Sequence, residues 1–164
     1  MLIHSVMHQL ICCQKIFFKK FIMGGKKSFT INDIFLSVSK GLGYSDRIEP
    51  EKSSEFGVDL LIGNPKLSRQ EDFLARDWND MLAGSERGMR TSLIFKDMLN
   101  KLPKYDFVVI DMGPSLGAIN RAVLLASDYF ITPMSSDIFS ILALENIGDR
   151  LVEWKKIYRW HFEN

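Results

Sequence analysis

The apolar run Phe107-Val-Val-Ile110, with Asp111 directly after it, limits the folds open to this chain more than any other segment. An unbroken run of aromatic and β-branched residues is typical of a strand that is covered on both faces in a parallel sheet. Ligands of open α/β sheets bind outside the carboxyl ends of the strands, so Asp111 would be placed to meet a ligand. Aspartate at this position also caps the turn or helix that follows a strand. The run alone leaves both interpretations open.

Strand and helix patterns alternate along the rest of the sequence. Short apolar strands are predicted over residues 58–62 and 129–134, and helical spacing of apolar residues predicts helices over residues 33–40, 67–82, 89–102, 118–126 and 137–154. Thr30 or Asn32 could cap the first helix, and Ser68 with Glu71 offers a capping box for the second. The polar stretch 49–55 is predicted to be a surface loop. This alternation predicts an α/β fold with a parallel sheet flanked by helices.

The first 23 residues differ in composition from the rest, because they contain no acidic side chain. Ile3, Met7, Leu10 and Ile11 fall at helical spacing, so this segment could form an amphipathic helix that packs, or that binds a membrane surface or a partner. We therefore predict an atypical N-terminal segment over residues 1–23 and a single α/β domain over residues 24–164.

Bulk composition excludes several classes of protein. The chain has 164 residues, 46% of them apolar and 25% charged, with a net charge of +1, which predicts no strong overall attraction to nucleic acid or membrane. The two cysteines, Cys12 and Cys13, are adjacent, so they supply neither a disulfide framework nor a four-cysteine zinc site. This usage predicts a reducing, cytoplasmic compartment. Lys15, Lys19 and Lys20 interrupt the N-terminal apolar stretch, so no membrane span is expected.

Three segments together resemble one protein family. The stretch from Tyr105 to Asp111, followed by Pro114-Ser-Leu-Gly117, resembles the Walker B strand and the turn after it in ParA/Soj/MinD-type partition ATPases, which are deviant P-loop NTPases. Residues 61–67 resemble the family segment Ile-Pro-Gly-Asn followed by Leu. Residues 126–133, which end at Pro133, resemble its Ala-x-Asp, strand and Pro pattern. The three matches occur in the family's order, within residues 56–148. The sequence departs from the family at Gly113, where a proline is usual.

The resemblance implies a function and a set of site residues. It implies that Asp111 holds Mg²⁺, and that Gly113, Pro114 and Pro133 belong to the cofactor-binding region for ATP. Members of the family act in plasmid or chromosome partitioning, as nucleotide-sandwiched dimers on nonspecific DNA with a centromere-binding partner protein. The partners expected from the resemblance are therefore a second copy or a full-length ParA-like protein.

The sequence contains no match to the family's phosphate-binding loop, Lys-Gly-Gly-x-Gly-Lys-[Ser/Thr], known as the Walker A loop. The nearest imitation, Gly24-Gly-Lys-Lys-Ser28, has the wrong glycine spacing and is interpreted as a turn. We expect a truncated family member with a P-loop NTPase-like sheet that is incomplete at both ends, and one that alone neither binds ATP tightly nor hydrolyses it. The alternative hypothesis is a noncatalytic interaction module that pairs with a full-length homologue or an adaptor.

Three other patterns carry weaker functional interpretations. His4, His8 and His161 lack partners at metal-ligand spacing and are expected to be solvated or packed. Ser115 sits in a Gly-Pro-Ser-Leu-Gly stretch similar to a nucleophile elbow, although the turn of the family resemblance already accounts for it. The basic and aromatic C-terminal stretch could contact nucleic acid, or it could complete a helix with solvated bases; its residues are Trp154, Lys155, Lys156, Tyr158, Arg159 and Trp160.

Overall fold

The computed structural model describes residues 9–12, as backbone only, and residues 29–53, 57–113 and 115–162. The chain divides into two compact units. The sheet unit comprises residues 1–70 and 97–113, and the helical unit comprises residues 71–96 and 114–164.

A four-stranded sheet forms the sheet unit, in the order β2-β3-β1-β4. Strands β1, β3 and β4 are parallel, and β2 runs antiparallel to β3. Because parallel strands end at the same edge, Cys12 of β1 lies opposite Ile110 of β4 at the carboxyl edge. The predicted α/β class is confirmed. The strands are β1 (Gln9–Cys12), β2 (Glu51–Ser53), β3 (Val58–Leu60) and β4 (Phe107–Ile110).

Two strands lie where the sequence predicted other structures. Residues 9–12 form β1, between β3 and β4, where helical spacing had suggested a helix. Four apolar positions fit either period, and the backbone pairing to two neighbouring strands decides in favour of the strand. The remaining residues of the predicted N-terminal helix, 1–8 and 13–23, lie outside the described residues. The predicted polar loop 49–55 contains β2, in which Glu51 pairs with Leu60 as an edge strand.

Strand β4 forms where predicted, but its predicted burial on both faces is wrong. Phe107 is 55% exposed and Val109 is 51% exposed. Strand β4 is also the terminal strand in the order of the described sheet, so no described strand lies on its other side. An apolar run predicts a strand whose side chains are suited to burial. Whether those side chains are buried depends on other helices or strands packing against the two faces of the sheet.

Helix α1 (Ile31–Ser39) begins at Thr30, one of the two predicted caps. The backbone N–H and the hydroxyl of Thr30 both donate to the Asp33 carboxylate, at 2.9 and 2.7 Å. The helix contributes Ile31, Ile34 and Phe35 to the apolar core of the sheet unit, together with Leu61 and other residues. A 3₁₀ helix over Pro65–Gln70 ends the first segment of this unit.

The remaining helices differ from the predicted ones mainly at their ends. Residues 67–70 belong to the 3₁₀ helix, and the Ser68 hydroxyl donates to the Pro65 carbonyl instead of forming the predicted capping box. The predicted helix over 89–102 is two helices that break at Leu93, where the backbone turns. The predicted helix over 118–126 is confirmed. The helices are α2 (Glu71–Leu82), α3 (Glu86–Ser92), α4 (Ile94–Lys101), α5 (Ala118–Ala126) and α6 (Ile138–Phe162).

Residues 129–134 form no strand, contrary to the prediction. The segment is exposed, with Tyr129 at 91% and Ile131 at 96%. A β-prone sequence becomes a strand only when a neighbouring strand pairs with it, and none of the described strands does so here. Helix α6 begins near the predicted position and continues to Phe162, eight residues beyond the predicted end at Trp154. Within the described residues, no helix is long and apolar enough to cross a bilayer.

Candidate functional site

The carboxyl edge of the sheet carries the predicted metal ligand. Asp111 follows β4 directly and is exposed to solvent. Strand β3 leads at the same edge into Leu61, Ile62 and the turn Gly63-Asn64. The prediction that Asp111 lies at the end of a parallel strand is therefore met by the backbone. Its role as a metal ligand stays a prediction.

A polar cluster of Thr30, Asp33 and Asn64 closes the turn after β3. The Asn64 amide donates to the Thr30 hydroxyl at 3.3 Å, and the Asn64 carbonyl oxygen Oδ1 accepts the Lys66 backbone N–H at 3.0 Å. The Ile31 N–H donates to the Ile62 carbonyl at 2.9 Å, which ties the start of α1 to this edge. The Gly-Asn-Pro sequence predicts a turn at Asn64. It does not predict the hydrogen bond of Asn64 to Thr30, because Thr30 lies 34 residues earlier in the chain.

The N-termini of α1, α3 and α6 are capped by side chains of the chain itself. At α1 the cap is the Thr30–Asp33 pair, and at α3 the Ser85 hydroxyl accepts the Gly88 N–H at 3.3 Å. At α6 the Asp137 carboxylate accepts the backbone N–H and the hydroxyl of Ser140, at 2.9 and 3.0 Å. These bonds lower the pKa of Asp137. A phosphate site at a helix N-terminus needs free N–H groups, and at each of these three ends a side chain of the chain itself accepts one backbone N–H.

Helix α5 is capped by a carboxylate from α2. The Glu71 carboxylate accepts the Ala118 N–H, and it accepts the Ile119 N–H at 3.2 Å. Gly117 is the N-cap residue, and a Cβ atom there would collide with the Glu71 carboxylate. Burial lowers the pKa of Arg121, and the negative charge of the Glu71 carboxylate partly offsets this lowering. This helix therefore holds an internal anion at the position where a phosphate would otherwise be favoured.

The Arg121 guanidinium lies between two indole rings, 4.2 Å from the centroid of Trp78 and 5.8 Å from that of Trp154.

Ser115, the residue of the weak nucleophile-elbow interpretation, accepts hydrogen bonds from Asn120. The Asn120 amide donates to the Ser115 carbonyl at 2.6 Å and to its hydroxyl at 3.2 Å. These contacts describe a tightly bonded turn before α5.

The four predicted cofactor-binding residues are distributed over both units. Asp111 and Gly113 belong to the sheet unit, and Pro133 belongs to the helical unit, in the exposed stretch before α6. Pro114 lies outside the described residues. A Cβ atom at Gly113 would meet nothing within 4 Å, so no close approach requires glycine there.

The described residues contain no preformed cluster of metal ligands. Among them, no group of three or more His, Cys, Asp or Glu side chains is arranged to hold a metal ion. Magnesium bound by one carboxylate depends on substrate phosphates for the rest of its shell.

Comparisons with known proteins agree with this fold. Residues 22–163 match the family model described as AAA domain. The chain is 30% identical over 107 residues to "Probable plasmid-partitioning protein ParA" of Thermus thermophilus, covering 65% of this chain and 30% of that protein. It is 41% identical over 46 residues to "Virulence plasmid ParA family protein pGP5-D" of Chlamydia psittaci, covering 28% of this chain and 18% of that protein.

A solved structure shares the architecture. The crystal structure of protein DIP2308 from Corynebacterium diphtheriae superimposes with a TM-score of 0.75 at 28% identity, over 96% of this chain and 60% of that chain. The chain thus spans about a third or less of the length of these curated relatives and 60% of the length of the solved chain. The family match over most of its residues and the ParA relatives identify the chain as a member of the AAA domain family, of the ParA/Soj/MinD type of partition ATPases with a P-loop NTPase-like fold.

Proposed function

We propose that this chain is a partition-ATPase domain that keeps the metal-binding acid of the family, Asp111, but does not by itself hold Mg-ATP. The observation that carries the proposal is that Asp111 is exposed at the carboxyl edge of the sheet unit, while no group of three or more His, Cys, Asp or Glu side chains among the described residues is arranged to hold a metal ion. The family uses ATP and Mg²⁺. The sequence lacks the phosphate-binding loop that supplies the lysine and the N–H cradle.

One exposed carboxylate and water bind Mg²⁺ weakly, because the ion keeps its hydration shell unless phosphate oxygens replace part of it. A nucleotide in turn needs a cradle of positioned N–H donors and a lysine, and the sequence contains no match to the family loop that supplies them. Gly113, Pro114 and Pro133 are the other cofactor-binding positions that the family resemblance implies, and we propose that they contribute no measurable affinity in this chain.

A thermal-shift titration with Mg-ATP tests the proposal. Ligand at 100 times its dissociation constant would add about 2.7 kcal/mol to stability, which is readily seen as a rise in Tm. We expect no rise for the wild type, for Asp111→Ala, or for Asp106→Ala, a matched variant at the other end of β4. A rise in the wild type that Asp111→Ala removes and Asp106→Ala retains would overturn the proposal.

A second candidate function is a noncatalytic interaction module that pairs with a full-length homologue or an adaptor. Members of the family oligomerise and act with partner proteins. Exposed apolar side chains favour this candidate, since Phe107 and Val109 of β4 and Tyr129 and Ile131 before α6 are at least half exposed. Apolar residues that are this exposed are typical of surfaces that another chain covers.

Size-exclusion chromatography of the chain mixed with a full-length homologue tests the second candidate. We expect a shared elution peak that is weakened by Ile131→Asp, because a charge at a covered apolar position opposes association. Lys104→Glu, at an exposed position before β4, serves as the control. Separate elution of the two chains under all conditions would exclude the module.

A further inference from the structure

Arg121 differs from the other arginines of the chain in its surroundings. The chain has eight arginines, all of them described, and Arg121 is the one that is not exposed. It makes no ion pair with any described residue. Five of the exposed arginines do pair with a carboxylate: Arg47 with Glu49, Arg76 and Arg87 with Asp77, Arg90 with Glu86, and Arg150 with Glu153. The most shielded arginine therefore lacks the partner that most exposed ones have.

Two tryptophans hold the Arg121 guanidinium in place. The guanidinium lies 4.2 Å from the ring centroid of Trp78 on α2 and 5.8 Å from that of Trp154 on α6, and both tryptophans are buried. All three residues belong to the helical unit. Aromatic rings attract the cation, but they offer no acceptor that could satisfy its five N–H donors. We call the guanidinium and its two tryptophans the Arg121 site.

The N–H donors of the guanidinium have no acceptor among the described residues. The Glu71 carboxylate acts on Arg121 through its charge, yet its two oxygens already accept the backbone N–H groups of Ala118 and Ile119. Burial lowers the pKa of Arg121, but an arginine keeps its charge at neutral pH. A charge that loses hydration without gaining an acceptor costs free energy. A ligand that supplies the acceptor would recover part of this cost.

We propose that the Arg121 site binds a carboxylate, which accepts two parallel N–H bonds from the guanidinium. The planar fork of an arginine matches the two oxygens of a carboxylate. One guanidinium supplies a single positive charge, and the negative charge of Glu71 opposes a ligand that carries two negative charges. A carboxylate is therefore favoured over a phosphate group. The carboxylate can belong to a small molecule or to an acidic side chain of a partner protein.

A titration with sodium acetate, followed by proton–nitrogen NMR of the arginine and tryptophan side chains, tests the Arg121 site. The site shares no residue with the predicted Mg-ATP site, so the titration contains neither magnesium nor nucleotide. We expect the Nε–H signal of Arg121 and the indole signals of Trp78 and Trp154 to shift saturably, with a Kd in the millimolar range. Sodium phosphate is expected to bind more weakly than acetate, because Glu71 opposes its second charge.

The same spectra contain the controls. Arg69 and Arg159 are exposed and have no carboxylate partner among the described residues, so their Nε–H signals should show no saturable shift. The indole signal of Trp160, which is 67% exposed, should likewise not respond. Sodium chloride at the same ionic strength separates binding from screening.

Two variants should change the affinity for acetate in opposite directions. Arg121→Lys keeps the positive charge but removes the fork, and should weaken binding by roughly tenfold or more. Glu71→Gln removes the opposing charge while keeping a hydrogen-bond acceptor for α5, and should tighten binding by roughly threefold or more. The indole signals of Trp78 and Trp154 report binding in both variants. Arg159→Lys, the same substitution at an exposed arginine, should bind acetate like the wild type.

A peptide distinguishes the two sources of the carboxylate. A short peptide with both ends blocked and a single glutamate presents the same group on a protein-like chain. Tighter binding of the peptide than of acetate would assign the site to an acidic side chain of a partner, and equal or weaker binding would assign it to a small carboxylate. Three results would each overturn the proposal: no saturable shift at Arg121 with acetate, tighter binding of phosphate than of acetate, or acetate binding that Arg121→Lys and Glu71→Gln leave unchanged.

Discussion

Strand β4 and the α2–α3 helix pair show opposite relations between sequence signal and packing. Strand β4 has the strongest apolar signal in the chain, yet Phe107 is 55% exposed. In the helix pair, Gly88 of α3 lies so close to the backbone of Asp77 and Met81 on α2 that a Cβ atom would overlap it. Asp111 therefore follows a sparsely covered strand, whereas α2 and α3 approach each other so closely at Gly88 that only glycine fits there.

The helix pair also holds a buried charge. Asp77 is 1% exposed, and its carboxylate accepts the Thr91 hydroxyl at 2.7 Å. Arg87 and Arg76 bring their Nε atoms to 3.4 and 3.6 Å of the carboxylate. Buried charges persist where such partners compensate the loss of hydration. The site-bearing strand β4, in contrast, exposes apolar side chains that gain little from folding.

Truncating one phenylalanine in each region tests the contrast with the largest expected effect. Phe95→Ala removes a side chain that is 2% exposed and should cost about 3–5 kcal/mol of unfolding free energy through lost burial and a cavity. Phe107→Ala should cost about 1 kcal/mol or less, since half of that side chain already meets water. Urea unfolding of both variants measures the difference. Equal losses would show that β4 is covered in solution.

Alanine at two helical glycines sharpens the contrast in packing. Gly88→Ala should destabilise by about 1–3 kcal/mol, because the added methyl group forces α2 and α3 apart. Gly148→Ala, in α6, meets nothing within 4 Å and should stabilise by about 1 kcal/mol through helix propensity. Denaturant unfolding at low protein concentration compares the pair. Stabilisation by both substitutions would contradict the close approach at Gly88.

A smaller, pH-dependent effect concerns the hydrogen bond that anchors the start of β4. The Tyr105 hydroxyl donates to the Asp59 carboxylate of β3 at 2.9 Å, and burial, followed by Asp59, raises the pKa of Tyr105 to about 12. Tyr105→Phe should cost about 0.5–1.5 kcal/mol near neutral pH.

The sign of the pH dependence follows from the raised pKa. The contribution of Tyr105 is fully present below its ordinary pKa of 10.0 and is lost as pH rises through about 12. The difference in unfolding free energy between wild type and Tyr105→Phe should therefore stay constant up to pH 10 and shrink above it. A difference that grows with pH would contradict the assigned bond.

The sequence correctly predicted those helices and strands that depend on residues close together in the chain. Helix α5, the start of α1 at Thr30 and the strand before Asp111 follow from periodicity, capping and an apolar run. The sequence could not reveal that residues 9–12 pair between two distant strands, or that residues 129–134 find no pairing strand. Strand formation depends on partners remote in sequence, which periodicity does not encode.

Some features of the candidate site could be predicted from local sequence, and others could not. Asp111 was recognisable because its position follows from one strand and one turn. The cap that Glu71 places on α5 joins residues 47 and 48 positions apart, and the sequence instead suggested a local capping box for Glu71. Sequence patterns identify the acid, whereas the internal occupation of the helix N-termini required the folded chain.

A residue-resolved NMR titration of the amide signals with Mg-ATP tests the central claim most directly. We predict no saturable shifts at Asp111, at Gly113, or at the N-terminal amides of α5, because Glu71 already holds the N–H groups of Ala118 and Ile119. The titration should likewise produce no saturable shifts at Gly113 or at the N-terminal amides of α5 in Asp111→Ala. Saturable shifts that converge on Asp111 and the start of α5, and that vanish in Asp111→Ala, would contradict the account.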